Sequence, residues 1–471
     1  MGQEITKLQF RTTDFEQFVQ NLEVETDKLS QLFATNAFQC DHPIGGFELE
    51  AWLIGADGLP VPENEKFLKR LANPEIVPEL SRFNFEINVQ PRALRGKALS
   101  RFNQNLAGNW QHCRRVAREC DTDVMIIGVH PCIHEHQLTL INMSQSQRYR
   151  ALNNQILALR QQQPIDIDIK GREHLSLLHN DVMLEAAATS FQIHVQIKQH
   201  LAVRAYNIAQ IISAPLVALS ANSPYVFGVD LCDESRILLF EQSIDLGKQY
   251  KKRVCFGDRY IQNSLFNCFK ENLVDYPVLL PELQSKNDSQ LPHLCLHNGT
   301  IWRWNRPLIG FDPKGNPHLR IENRVAPAGP TVLDMMANAA FFWGLLTKLV
   351  TESDSIEFEI PFKAAKHNFY AAVKRGLKCK LRWRDNKIHR CSDLLLKECI
   401  PLAKEGLEQL GIDKADAKSF ISIVEDRVGS QQNGALWQRA WVKKHGKDMR
   451  NLSLAYLENQ HRGQPVHEWN L

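Results

Sequence analysis

Two hydrophobic periods alternate along the chain. Phe15, Phe18, Leu22, Leu29, Leu32 and Phe33 recur at helical spacing, with Asp14 placed to cap the helix. From Gly46 the period drops to two: Phe47, Leu49, Ala51 and Leu53 alternate with Glu48, Glu50 and Trp52, and Ala56-Asp57-Gly58 supplies a turn. A second alternating run covers Phe83 to Val89. Helical spacing returns over Ser100 to Cys120, with Phe102, Leu106, Trp110, Cys113 and Ala117 facing inward. A strand is predicted over Asp123 to Val129 and a helix over Gln145 to Gln161. Ile165 to Ile169 alternates Ile with Asp, and Ala188 to Ile197 reads as a strand. A helix over 201–220 ends before Asn222-Ser223-Pro224. Loops rich in Pro and Asn are expected near 276–293 and 311–318. Alternation resumes over His318 to Val325, and Thr331 to Val350 is a long apolar helix after Pro330. Beyond about residue 362 the period is helical throughout: Lys363 to Arg375, Ser392 to Leu410, Ala415 to Asp426 and Leu436 to His461.

This order predicts an α+β fold: a catalytic domain over 1–350, with helices on the outer face of its sheet, and a helical C-terminal region over 351–471 packed on it through apolar helix faces. No internal repeat is evident.

Composition narrows the function classes. Over 471 residues, 56 basic and 53 acidic side chains leave a formal net charge of +3, which gives no reason to expect a nucleic-acid or membrane partner. The polar N-terminus lacks the apolar core of a signal peptide and fits the loose myristoylation pattern only by chance. The stretch from Met335 to Val350 contains Asn338 and Lys348 and falls short of a membrane span. The 11 cysteines form no CxxC pair and sit mostly in apolar surroundings, which points to free thiols in a cytoplasmic protein.

Four of the strands share one peculiarity. Residues two apart on a strand lie on one face. Glu48 and Glu50 therefore share a face, as do Glu86 and Asn88, then Gln192, His194 and Gln196, then Arg320, Glu322 and Arg324. If these strands form one antiparallel sheet, one face is apolar and the other gathers carboxylates, an imidazole, carboxamides and guanidiniums. Carboxylates two apart on one face repel, and a divalent cation relieves that repulsion; an oxygen-rich donor set suits Mg²⁺ or Mn²⁺. Guanidiniums aimed at the same place suit phosphate. The alternative is four ordinary half-exposed strands. Solvated strand faces, however, more often carry Thr, Lys and mixed charges than this selection.

The same residues resemble a known family. Gly46-Phe47-Glu48-Leu49-Glu50 is similar to the Gly-x-Glu-x-Glu opening strand of the glutamate–cysteine ligase family. Phe85-Glu86-Ile87-Asn88 is similar to its second acidic strand, and Thr189 to Val195 to its Gln/His strand. Leu219 to Tyr225 resembles its Ala-Asn-Ser-Pro segment, followed by Ser235-Arg236. Gly299-Thr300 to Arg306-Pro307 stands where the family has a Gly/Thr-to-Arg segment, and Arg320 to Arg324 resembles the Arg-x-Glu-x-Arg strand of glutamine synthetases. The matches keep family order from about residue 44 to 345, with an echo at Gly434 to Gln438.

The resemblance implies a glutamine-synthetase-like curved antiparallel sheet and an ATP-dependent carboxylate–amine ligase working through an acyl phosphate. It implies two or three Mg²⁺ (or Mn²⁺) ions on Glu48, Glu50, Glu86, His194 and Glu322. Arg320, Arg324 and Arg306 become the catalytic residues, and Gln192, Asn222, Arg236 and Thr300 substrate- or ATP-binding residues. Glutamate and cysteine become the expected small-molecule substrates, and a homo-oligomer is compatible. Three departures fall on the substrate side: Gln-x-His-x-Gln on the third strand, the Trp-rich run Ile301 to Arg306, and adjacent Ser235 and Arg236.

Other readings stay open. His130, Cys132, His134 and His136 alternate and carry zinc-ligand chemistry, so a zinc-dependent hydrolase using the three histidines is one rival; Pro131 and the lack of partner ligands favour a strand-to-loop exit. A phosphotransferase on the same sheet is a second, and a nucleotide-binding regulator without catalysis a third. Asp166 and Asp168 read as a solvated edge strand. Trp302 and Trp304 are candidates for stacking on a base or for packing on the helical region. No P-loop and no GxGxxG after a strand is present.

Overall fold

A computed structural model of the chain describes residues 4–283 and 290–471. Its centre is a seven-stranded antiparallel sheet, curled into a half-barrel. The strands are β1 (Ile44–Gly55), β2 (Ile76–Pro78), β3 (Asn84–Ala93), β4 (Thr122–Met125), β5 (Phe191–Ile197), β6 (Asn305–Phe311) and β7 (Pro317–Asn323). Their order is β6-β7-β5-β1-β3-β2, with β4 paired to the far end of β1. The four strands with the unusual polar face are therefore consecutive neighbours.

Register decides what each face carries. In antiparallel pairs, residues directly opposite project to the same side. Phe47 stands opposite Ile193 and Val89, Leu49 opposite Phe191 and Ile87, and Ile321 opposite Val195. That apolar face is covered by the helices Ala98–Arg118 and Val332–Thr351. Phe47 meets Phe102 at 5.3 Å between ring centroids, Phe102 meets Trp343 at 5.4 Å, and the Trp343 indole donates to the His194 carbonyl at 3.0 Å. Burying aromatic rings of this size contributes several kcal/mol in all, at about 25 cal/mol per Å² of apolar area.

The C-terminal helices share this core. Helix Ile400–Gln409 crosses Val332–Thr351 where Gly344 and Gly406 meet; a Cβ on Gly344 would stand 2.2 Å from the Ala403 carbonyl oxygen. Arg427 is fully buried, 2.8 Å from Asp334, and also donates to Asn338. Gln460 and Tyr456 both hydrogen-bond the Ile126 carbonyl at the end of β4. One helix, Gln199–Ser220, is long and apolar enough to cross a membrane; 83% of its apolar window is buried inside the fold.

Several expected elements are redrawn. Asp14 is not the helix cap: the helix starts at Thr12, and the Asp14 carboxylate, one turn in, accepts the Arg11 N–H at 2.8 Å. The strand expected over Asp123–Val129 stops at Met125, after which the chain leaves the sheet. The helix expected over Leu436–His461 is two, Gly434–His445 and Met449–Arg462, divided at Gly446 with φ of 93°. Within the loop expected near 276–293, residues 284–289 lie outside the described residues, and Pro292 begins a short helix. The loop at 311–318 is the tight connection of the β6–β7 hairpin, whose first strand the alternation did not announce. Ile165–Lys170 pairs only with His174–His179, apart from the main sheet, with Asp166 and Asp168 on its exposed side.

Candidate active site

The polar face forms rows across the sheet. One row runs Arg306, Glu322, His194, Gly46 across four strands; the next brings Gln192, Glu48 and Asn88 side by side; a third pairs Glu50 with Glu86. Gly46 keeps the position beside His194 free of a side chain. These rows floor a cavity of about 510 Å³, in the size range of small-molecule sites. Among the described residues its walls carry six carboxylates (Glu48, Glu50, Glu79, Glu86, Glu185 and Glu322) and four guanidiniums (Arg148, Arg306, Arg320 and Arg324).

The two kinds of charge are unevenly placed. At one end Glu50, Glu79 and Glu86 bring carboxylate oxygens within 4.8 Å of one another, and Glu48, His194 and Glu322 form a second such group beside them. Within that second group Glu322 is locked by guanidiniums. Arg306 binds it through both oxygens, Nε to Oε2 at 2.7 Å and Nη2 to Oε1 at 2.9 Å, while Arg324 Nη1 lies 3.1 Å from Oε2. Arg324 also donates to Gln192, whose amide donates to Glu50 at 2.9 Å. Glu50 is completed by the backbone N–H and hydroxyl of Ser190, at 2.7 and 2.9 Å. Arg320 makes no ion pair among the described residues, and its Nε is buried without a hydrogen-bond partner.

The electrostatics follow from that layout. Burial pushes Glu322 up, but Arg306, Arg324 and His194 outweigh it and hold the carboxyl well below its usual range. At Glu86 burial, with Glu48 and Glu50 close by, pushes the carboxyl up to about 7. Burial and Glu50 push Glu185 up to about 8, against the pull of Arg324. Glu79 is raised well above the ordinary carboxyl value by burial and the charge of Glu86. Burial depresses His194 despite Glu48 and Glu322 at 3.5 and 3.6 Å, and its Nε2 is buried without a hydrogen-bond partner. Clustered carboxyls that hold protons near neutral pH, beside an imidazole nitrogen with its lone pair unused, suit a divalent cation, since one would remove the repulsion and engage that nitrogen. The donor set fits Mg²⁺ or Mn²⁺.

Of the residues singled out in the sequence, Glu48, Glu50, Glu86, His194, Glu322, Gln192, Arg306, Arg320 and Arg324 come together here. Three do not. Asn222 is fully buried and donates to the Ala328 carbonyl and the Tyr456 hydroxyl, both at 2.8 Å. Arg236 pairs with Glu234 at 2.9 Å and donates to the carbonyls of Arg324 and Val325. Thr300 donates to the His297 carbonyl and accepts from Arg253. None of the three lines the cavity. Their hydrogen bonds go instead to the loops around it.

The histidine cluster also separates. His130 is buried, accepting the Cys132 N–H at Nδ1 and facing the Ser453 hydroxyl, whereas His134 and His136 stack on each other at the surface. No metal-competent group among the described residues includes them. The two tryptophans divide as well: Trp302 lines the cavity, while Trp304 is buried, donates to Glu241 at 2.8 Å and packs on Phe240 and Phe369.

Among the lining residues that the strand motifs do not announce are Glu185, Glu79, Arg148 and Tyr149. Glu185 carried a faint signal, a lone carboxylate inside Val182-Met183-Leu184-Glu185-Ala186-Ala187. Glu79, Arg148 and Tyr149 carried none, because only the fold brings the end of β2 and the helix Gln147–Leu159 over the sheet.

Comparison with known proteins agrees with this picture. A sequence profile of glutamate–cysteine ligase family 2 (GCS2) matches residues 44–448. No curated protein sequence matches the chain. Among solved structures, the glutamate–cysteine ligase of Francisella tularensis, in complex with AMP, superposes with a TM-score of 0.53 at 12% identity over 90% of this chain and 89% of that one. A bifunctional glutathione synthetase from Pasteurella multocida superposes with a TM-score of 0.54 at 12% identity, covering 92% of this chain and 54% of that one. At this identity the superpositions bear on the fold alone. The profile spans most of the chain, from the first glutamate strand to the start of the last helix, and so places it in glutamate–cysteine ligase family 2, as an ATP-dependent ligase joining a carboxylate to an amine.

Proposed function

We propose that the chain condenses the γ-carboxylate of glutamate with the amine of cysteine, at the expense of ATP and with divalent metal ions. The observation that carries this reading is the division of one cavity's charges between two cation-competent carboxylate groups and the guanidiniums of Arg306, Arg320 and Arg324, the two kinds meeting at Glu322. Such a division serves a polyphosphate that must be held at both its metal-bound and its free oxygens. The bound AMP of the Francisella tularensis enzyme supports a nucleotide in the same fold.

In the proposed sequence a γ-carboxylate oxygen attacks the γ-phosphorus and the bond to ADP breaks, leaving an acyl phosphate. The amine then attacks the carbonyl carbon, the bond to phosphate breaks, and an amide remains. Divalent cations on Glu50, Glu79 and Glu86, and on Glu48, His194 and Glu322, would supply charge neutralisation at the β- and γ-phosphates. The chain's own groups do the remaining work. Arg320, in no ion pair among the described residues, is placed to bind the transferring phosphoryl group. Arg306 and Arg324 are pre-oriented by Glu322 and need no rearrangement to face developing negative charge. The Gln192–Glu50–Ser190 network holds the floor rigid. Phe240, Ile244, Leu152 and Trp302 form an apolar wall that excludes water from a hydrolysable acyl phosphate. No side-chain nucleophile is required.

The purified protein with ATP, Mg²⁺ and glutamate should release ADP on addition of cysteine, with mass spectrometry showing the γ-glutamyl amide. ADP release with another amine only would redirect the amine substrate. ADP release with a stable phosphorylated product and no amide would replace ligation by phosphoryl transfer.

A further inference from the structure

A second concave site lies away from the catalytic cavity and is built for the opposite charge balance. Its volume is about 530 Å³, and its walls carry Lys170, Arg172, Lys374, Arg375 and Lys378. These cations come from distant parts of the chain: the turn of the hairpin Ile165–Lys170/His174–His179, the last turn of helix Phe362–Arg375, and the turn Gly376–Lys378 that follows it. For a chain with net charge of only +3, five cations around one cleft is a marked local excess.

The nearby acids cancel them only in part. Asp233, on the floor, is paired with Arg439, which also holds Asp230 at 2.8 Å. Arg172 reaches Asp230 only at 3.8 Å, and Lys170 reaches Asp168 only at 3.8 Å. Lys374, Arg375 and Lys378 make no ion pair among the described residues, and all three are exposed. Two residues further on, Lys380 stands directly opposite Arg390 across a short hairpin, so the same sign recurs where like charges repel. A stabilising role at the helix C-terminus accounts for Lys374 and Arg375, but not for Lys378 or for the hairpin cations brought to face them.

Backbone packing makes the cleft a fixed shape. Gly171 lies so close to the 231–233 segment that a Cβ would stand 2.3 Å from Leu231 Cα. At Gly376, φ is 47° and a Cβ would stand 2.6 Å from an Asp233 carboxylate oxygen. The hairpin and the helix end thus both pack closely on the 231–233 segment, and their cations line one cleft from either side.

We propose that this cleft binds a small polyanion, a phosphate-bearing or multiply carboxylated metabolite of about nucleotide size, as a site separate from the catalytic cavity. Its enclosed volume matches a small molecule, whereas a nucleic acid would need a basic surface of far greater extent, which a near-neutral chain does not offer. The floor strip leads into helix Ser235–Ser243, whose Phe240, together with Ile244 just past its end, lines the catalytic cavity. Only the first five helical residues, roughly 8 Å, separate the two sites along that element.

Calorimetric titration of the full-length chain with inorganic tripolyphosphate, in Mg²⁺-free buffer at low ionic strength, tests this. Two binding events are expected. One should vanish in Arg320→Ala; the other should weaken at least tenfold in Lys374→Glu/Lys378→Glu, with circular dichroism and catalytic turnover unchanged. If only the second event is present, the cleft stands and the role of Arg320 in the proposed function falls. Parallel titrations with citrate and with ADP separate carboxylate from phosphate preference. The proposal is overturned if the double variant titrates like the parent, or if a single-stranded oligonucleotide binds tighter than tripolyphosphate and displaces it.

Discussion

At Glu322 two guanidiniums and an imidazole converge on one buried carboxylate, and the same contacts that hold it ionised also aim Arg306 and Arg324. Replacing it with Gln keeps the shape but removes the charge both guanidiniums share. Glu322→Gln is expected to lower ATP-dependent turnover by on the order of 10²–10³-fold or more, with an unchanged far-ultraviolet dichroism spectrum; full activity in this variant would remove Glu322 from the site. Glu86 and Glu185 behave oppositely. Their carboxyls rise to about 7 and about 8, driven chiefly by burial with neighbouring carboxylates close by, so both hold protons through much of the neutral range. A metal ion must displace those protons, and affinity for Mg²⁺ should therefore rise from pH 6 to 8 and level off above. Calorimetry in buffers of different ionisation enthalpy should register proton release on Mg²⁺ binding; binding without proton release would show that neither carboxyl is a ligand.

At the scale of elements, the alternation of polar and apolar residues made each site strand recognisable, because period two assigns faces from the backbone alone. It did not identify the strand partners. That Glu48 lies between Gln192 and Asn88, and Glu322 between Arg306 and His194, depends on register, which long-range packing selects. Short elements such as β2 and β6 escaped notice for the same reason: three to seven residues carry too little period to stand out. The helix crossing at Gly344 and Gly406 is likewise a tertiary feature. In Gly406→Ala the new methyl would overlap the Gly344 carbonyl, where a Cβ falls only 1.8 Å away. The variant is expected to lose about 1–3 kcal/mol of stability, read from the urea midpoint. Arg427→Met leaves Asp334 buried without its cation and should cost about 3–5 kcal/mol. A variant as stable as the parent would mean that Asp334 is held by the Thr331 hydroxyl and Val466 N–H alone.

For the molecule as a whole, residues 351–471 and the sheet share one core, and we expect calorimetry to show a single cooperative unfolding transition. Two separated transitions would make the helical region an independent domain. Acid should weaken the whole fold through buried neutral histidines. His130 is depressed to about 3 and His297 to about 4, both chiefly by burial. The unfolded chain binds these protons at a higher pH than the folded one. Their contribution is therefore complete above about pH 6.5 and is lost as pH falls toward the folded values, at about 1.4 kcal/mol per pH unit for each histidine. His130→Gln should flatten the decline in urea midpoint between pH 7 and 5; an unchanged slope would mean that His130 does not titrate on unfolding.

The amino-acid sequence by itself determined the α+β class, the apolar and polar faces of the site strands, eight of the side chains that line the cavity, and His194 beside them. Each of these rests on periodicity or on a short motif, which are properties of neighbouring residues. Only the tertiary structure decided the pairing order of the sheet and the entry of Glu79, Glu185, Arg148 and Tyr149 into the site. It also turned Asn222, Arg236 and Thr300 inward as loop supports and brought the five cations of the second cleft together. Those outcomes depend on contacts between residues far apart in the chain, and such contacts are settled by packing rather than by local pattern.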